Sequence, residues 1–306
     1  VAVILMGLYD KLHTPAARSI GIVGSGEGLP DLSGYEVVAV PAGKLMCSGK
    51  PVVAGSMEAA EAEALQDRIR QAGAKAFLYA AGGPTALNGD TGETVDALAD
   101  AVESGGYDGL LLDLEKLKLS QEAAMTRLMK ALRPALGGKP LYVVADAPAW
   151  DGTVYEGYDY GLIGENVDCL ILRIASHSEF SDTFPIAPVE PLEEAYYAFG
   201  ELAGVIDGDR LALMVNTRGT LYLNGRERGA LTRPEIRELL EADGAESYYS
   251  ERYGGTYLTS VREEMEAVAW YLDDRGIEAR SRLAGLMGVT RLCINDLNNL
   301  PAEPEG

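Results

Sequence analysis

Apolar residues come along this chain in short β-branched bursts, separated by longer stretches in which they recur every three or four positions. The bursts Ala2–Gly7, Tyr35–Val40, Lys75–Ala81, Gly109–Leu114, Leu141–Ala147, Val167–Ile174, Leu211–Asn216 and Val289–Ile294 read as strands. Several are apolar without alternation, as in Leu110-Leu111-Leu112 and Cys169-Leu170-Ile171-Leu172, the pattern of strands covered on both faces. Helical stretches lie between them. Met57–Ala72 ends at Gly73, and Thr91–Ser104 stops at Gly105-Gly106. Ser120 is the expected cap of Gln121–Leu136, which stops at Gly137-Gly138, and Pro191–Val205, Arg233–Ala242 and Arg275–Met287 serve later strands.

Strands alternating with helices predict βα units and a parallel sheet. Eight such units predict an α/β chain folded as a closed (β/α)8 TIM barrel, and 306 residues accommodate a barrel of roughly 250 residues with insertions. Two regions break the rhythm. Residues 11–32 carry no good helix, so the first crossover is short or irregular. From Ser247 to Leu272, Tyr248, Tyr249, Tyr253, Tyr257 and Trp270 interleave with turn residues. That region predicts a small β-rich (α+β) insertion between strands 7 and 8, spanning about 220–272 inside a single domain of 1–306.

Charge narrows the partners. Twenty-six basic residues against 47 acidic ones give a net charge of −21. Such a field repels phosphate backbones and anionic membrane surfaces, so no nucleic-acid partner is expected. No apolar stretch reaches 18 residues, so no membrane insertion is expected either. A neutral substrate such as a glycan, or a cationic one, fits this surface. The chain opens directly on a strand-like run in which no leader peptide is visible, and a mature chain would look the same. Cys47, Cys169 and Cys293 show neither disulfide framework nor metal-ligand spacing, and Cys169 and Cys293 sit in strands as buried thiols. With His13 and His177 as the two histidines, no metal site and no Ser-His-Asp triad is expected. Gly21, Gly24, Gly26 and Gly28 lack the G-x-G-x-x-G spacing and the following helix that a dinucleotide needs, so no cofactor is expected.

The run Tyr107-Asp108-Gly109-Leu110-Leu111-Leu112-Asp113-Leu114-Glu115 is the most informative in the chain. Alternation puts Leu111, Asp113 and Glu115 on one face, and in a parallel barrel the carboxylates fall at the C-terminal rim, where barrel active sites assemble. Two acids placed together there raise each other's proton affinity, which suits a general acid. A pair of acids in a solvated loop is the plainer alternative.

Asp108-Gly109-x-x-x-Asp113-x-Glu115 resembles the D-G-x-D-x-D-x-E signature of glycoside hydrolase family 18, the chitinase-like enzymes and their peptidoglycan- and spore-cortex-active branch. The likeness extends through Tyr158-Asp159-Tyr160, Val167–Leu172, Ala187–Leu192, Asp209–Leu213, Val268–Tyr271 and Leu286–Val289, so it covers most of the chain after about Tyr35. It implies substrate-assisted catalysis on an N-acetylglucosamine polymer or peptidoglycan fragment. Glu115 would then protonate the leaving oxygen, and Asp113 would hold the N-acetyl group whose carbonyl attacks the anomeric carbon. Asp108, on the opposite parity, is given a supporting role or that of a turn residue. The resemblance also implies an extracellular, cell-wall or spore-envelope location.

The departures are as specific. Leu111 stands for the middle aspartate of the signature. The family's M-x-Y-D on strand six becomes Arg173-Ile174-Ala175-Ser176, which removes the tyrosine expected to bond the acetamido carbonyl. Leu292 is aligned with the tryptophan that floors the sugar site, and G-x-P-x-Y-G becomes Met214–Gly219. Asp146, Trp150, Arg173, Asn216 and Arg218 are candidate substrate contacts. An inward Arg173 or Arg218 close to Glu115 would hold it ionised and weaken it as an acid; alternatively each arginine clamps a substrate carboxylate or makes a structural ion pair. Three functions remain open: a glycosidase, a hydrolase of altered specificity, and a catalytically weakened barrel that binds glycans or a protein.

Overall fold

The computed structural model describes residues 14–24, 28–48, 50–150, 152, 155–176, 186–262 and 265–300. Eight parallel strands close a barrel in the order β1 (Ala17–Ile22), β2 (Val37–Ser48), β4 (Lys75–Gly82), β5 (Gly109–Leu114), β6 (Leu141–Asp146), β7 (Cys169–Arg173), β8 (Leu211–Asn216) and β14 (Arg291–Asn295). β14 pairs in parallel with β8 and with β1, which closes the ring. Around it run α1 (Ala59–Gln71), α2 (Thr91–Ser104), α3 (Glu122–Ala135), α4 (Tyr160–Asn166), α5 (Leu192–Leu202) and α7 (Asp274–Leu286).

Alternation sorts the side chains into two cores. Leu111, Val144, Ile171, Met214 and Cys293 fill the barrel interior, while Leu110, Leu112, Leu114, Leu170 and Leu172 face the helices. Strands apolar on both faces are what this arrangement requires.

Three expectations need correction. The run Ala2–Gly7 lies outside the described residues, and the first barrel strand is Ala17–Ile22, inside the stretch read as an irregular crossover. Its apolar signal is interrupted by Gly21, whose missing side chain is what the strand needs. A Cβ there would lie 2.5 Å from Leu297 Cδ1. Ser120 sits inside a 3-10 turn, Leu119–Gln121, and does not cap α3. β2 runs on to Ser48 and folds back as a hairpin with β3 (Lys50–Gly55), which the sequence pattern did not announce.

Between β8 and β14 stands a five-stranded antiparallel sheet, ordered β10 (Arg226–Leu231), β9 (Gly219–Leu223), β13 (Met265–Tyr271), β12 (Gly255–Arg262), β11 (Glu246–Ser250). One face packs Leu258, Ala269 and Tyr271 against Ile236 of α6 (Arg233–Leu240). The other sets Tyr222, Val268 and Trp270 against Ile186 and Val189 in the loop after β7. Tyr248, Tyr257 and Trp270 are directly opposed across three strands, so they form a cross-strand ladder. Arg280 of α7, 1% exposed, fastens this sheet to the barrel. Its guanidinium donates to the carbonyls of Gly254, Gly276 and Glu190, with longer bonds to Val189 and Tyr253.

Candidate active site

Asp113 lies in the last turn of the ladder of β5, 4% exposed and facing the barrel axis. Tyr79 of β4 donates its hydroxyl to Asp113 Oδ2 at 2.8 Å, and Arg173 Nη1 bonds both oxygens at 2.9 Å. Asp146, at the end of β6 and also 4% exposed, takes Arg173 Nε on Oδ1 at 2.7 Å. Its Oδ2 accepts the Lys116 N–H at 2.6 Å and lies 2.7 Å from the Tyr158 hydroxyl. Tyr160 donates to the Asp146 carbonyl at 2.8 Å. One guanidinium thus bridges two buried acids from neighbouring strands.

The electrostatics follow. Burial works against the charge of Arg173, but Asp113 and Asp146 override it and hold its pKa well above the ordinary value. Burial and then the charge of Asp113 push the Tyr79 phenol up, so it stays a donor; burial and Asp146 do the same to Tyr158.

Glu115 is one residue beyond β5, yet its N–H still bonds the Gly82 carbonyl at 3.0 Å, so the ladder continues through it. Leu114 faces the helices, and alternation turns Glu115 back toward the mouth. The side chain is exposed, and no ion pair joins it to Arg173 among the described residues. The next residue, Lys116, has left-handed backbone (φ 59°), which is uncommon for a side chain of this kind.

The other candidates are distributed as follows. Asp108 is at the opposite, N-terminal end of β5, where Oδ2 accepts from Ala76 N at 2.9 Å and Arg70 Nε at 3.3 Å; it fastens α1 to the barrel floor and is not part of the mouth. Arg218 turns to Asp296, Nε to Oδ2 at 2.6 Å, and does not join Asp113. Asn216 ends β8, and its N–H bonds both oxygens of Glu190 at 3.1 Å. Trp150, 75% exposed, follows β6 and meets Tyr197 edge-on at 5.4 Å. Leu292 faces the helices, fully buried, so it is not the floor of a cleft; the inward position at the mouth end of that strand is Asn295. His13 and His177 lie outside the described residues. Among the described residues no cluster of His, Cys, Asp or Glu is arranged to hold a metal ion, and no helix is long and apolar enough to cross a membrane.

Tyr79, Tyr158 and Glu190 are the polar groups that sequence reasoning missed. Tyr79 had a signal, since it shares parity with Phe77 and lies three residues before the end of its strand. Glu190, 8% exposed with left-handed backbone, had none. Burial pushes its carboxyl up to about 7, against the opposing pull of Arg280, the Asn216 N–H and Arg173.

No family model matches the chain. Over 109 residues it is 32% identical to a Bacillus subtilis protein described as "Putative sporulation-specific glycosylase YdhD", a match covering 34% of this chain and 26% of that protein. Among solved structures, a chitinase from Chromobacterium violaceum superposes with a TM-score of 0.78 at 14% identity, over 94% of this chain and 96% of that one. The spore cortex-lytic enzyme SleL of Bacillus megaterium gives 0.74 at 13%, over 94% and 72%. A family 18 chitinase from Cycas revoluta, in complex with (GlcNAc)3, gives 0.73 at 15%, over 92% and 96%. The chain therefore has the (β/α)8 fold of the family 18 chitinases and of a spore cortex-lytic enzyme.

Proposed function

We propose that this protein is a glycosidase that cleaves N-acetylglucosamine-containing glycans of a cell wall or spore envelope, outside the cytoplasm. The observation that carries the reading is the contrast between two acids on one strand. Asp113 is buried and held by Tyr79 and Arg173, whereas Glu115 is exposed and free of Arg173. A held carboxylate and an unhindered one are what a substrate-assisted hydrolase requires. Asp113 Oδ2 is occupied twice, but Oδ1 accepts a single bond and retains a lone pair for an acetamido N–H. Glu115 delivers its proton to the leaving glycosidic oxygen as the acetamido oxygen attacks the anomeric carbon. The carboxylate left on Glu115 then takes a proton from the water that opens the oxazolinium ring.

Arg173 already serves two carboxylates and Arg218 serves Asp296, which favours structural ion pairs over substrate clamps. The glycan-binding alternative draws on Ala175, which offers no hydroxyl to the acetamido oxygen. The test is Glu115→Gln, which keeps shape but removes the transferable proton. Hydrolysis of chitin oligomers and peptidoglycan fragments should fall by about 10²–10⁴-fold. Equal rates for parent and variant on both substrates leave glycan binding as the function.

A further inference from the structure

We propose that Asp146 is a positioning residue for Glu115, acting through the left-handed turn at Lys116; this rests on Glu115 being the acid. The main chain around Glu115 is pinned at three successive residues. The Tyr158 hydroxyl lies 2.6 Å from the Leu114 carbonyl, the Glu115 N–H bonds Gly82, and the Lys116 N–H bonds Asp146 Oδ2 at 2.6 Å. Among the described residues no hydrogen bond or ion pair holds the Glu115 side chain, so its placement is set by the backbone beneath it.

That backbone is in a conformation its sequence disfavours. A lysine at φ 59° sets Cβ against its own carbonyl, and such residues persist where surrounding structure over-determines them. The over-determining contact is the bond that the Lys116 N–H donates to the Asp146 carboxylate, shorter than an ordinary N–H···O bond and nearly free of water. Asp146 is in turn held by Arg173 through Oδ1 and by Tyr160 through its carbonyl. Because the same guanidinium holds Asp113, Asp146 fixes both acids in one frame: Asp113 through Arg173 and Glu115 through Lys116. Asp146 acts from beneath the turn and is not itself a substrate contact.

Two readouts test this on the full chain. In hydrogen–deuterium exchange, Asp146→Ala should speed exchange at the Lys116 amide at least tenfold. Asp159→Ala, which removes the N-cap of α4, should leave that amide unchanged. In kinetics on chitin oligomers, Asp146→Ala should lower kcat about 100-fold, the cost of a misplacement near 1 Å, with KM within threefold. Lys116→Gly placed in the Asp146→Ala background should recover tenfold or more of kcat, because glycine adopts the left-handed turn without the bond. Unchanged protection of the Lys116 amide in Asp146→Ala, or recovery below threefold, overturns the proposal. Failure of the glycosidase reading looks different: the parent and Glu115→Gln then hydrolyse at the same rate, and amide exchange alone decides the role of Asp146.

Discussion

Replacing Glu190 with glutamine should make the protein less sensitive to rising pH. The Glu190 carboxyl, at the end of the loop after β7, is buried, and burial raises its pKa from an ordinary 4.5 to about 7. An acid whose pKa rises on folding binds its proton more tightly in the folded chain than in the unfolded one. Its contribution to stability is therefore fully present below the unfolded value of 4.5 and is lost as pH climbs to about 7. The difference between those values corresponds to about 3 kcal/mol. Glutamine keeps the shape and one oxygen for the Asn216 N–H, but has no proton to lose. The stability of Glu190→Gln relative to the parent should thus increase by about 3 kcal/mol between pH 4.5 and pH 8. At roughly 2.1 cal/mol/K of unfolding entropy per residue, that is a relative gain in Tm of about 5 °C for this chain. Calorimetric scans of both proteins at four pH values measure it. Parallel Tm curves would refute the assignment of a protonated Glu190 below pH 7.

Two other outcomes follow from buried groups. Arg173→Met strips the shared counter-charge from Asp113 and Asp146, and removal of one partner from a buried ion pair costs about 3–5 kcal/mol, which a denaturant titration at pH 7 would register. A loss under about 1 kcal/mol would show the pair to be dispensable. Cys169 and Cys293 fill the barrel interior, and burial pushes the Cys169 thiol up to about 12 and that of Cys293 well above its usual value. Both should resist a thiol reagent at pH 8 until the protein unfolds, whereas half-exposed Cys47 reacts in the native state. Labelling of all three at one rate would contradict the packed interior.

Strands four to seven of the barrel were legible because uninterrupted apolar runs such as Leu110–Leu112 have few other uses than burial on both faces. The first strand was misplaced because Gly21, which makes room for Leu297, breaks the apolar signal it belongs to. Asp113 was legible from alternation and from its neighbours in the signature, but its partners were not. Tyr79 and Arg173 are 34 and 60 residues from it, and the barrel register brings their side chains to it. The resemblance aligns Leu292 with a tryptophan, and parity in the closed barrel overturns the match by turning Leu292 to the helices. The turn at Lys116 left no trace in the sequence because nothing about a lysine announces a positive φ. The hydrogen bond it makes runs from the Lys116 N–H to Asp146 on another strand.

The ring is joined by two strands that are almost the whole chain apart, Ala17 beside Arg291. Bringing ends about 270 residues apart together costs about 5 kcal/mol of chain entropy before any contact across the seam forms. During synthesis β1 is made before the other barrel strands but has its second neighbour only after residue 295 is available. Until then the nascent chain presents an open parallel sheet, with β1 and β8 each one partner short. Unpaired parallel edges of this kind recruit other strands. A ribosome stalled before Arg291 would therefore hold a nearly complete but self-adhesive sheet, and the last five-residue strand converts it into a closed one.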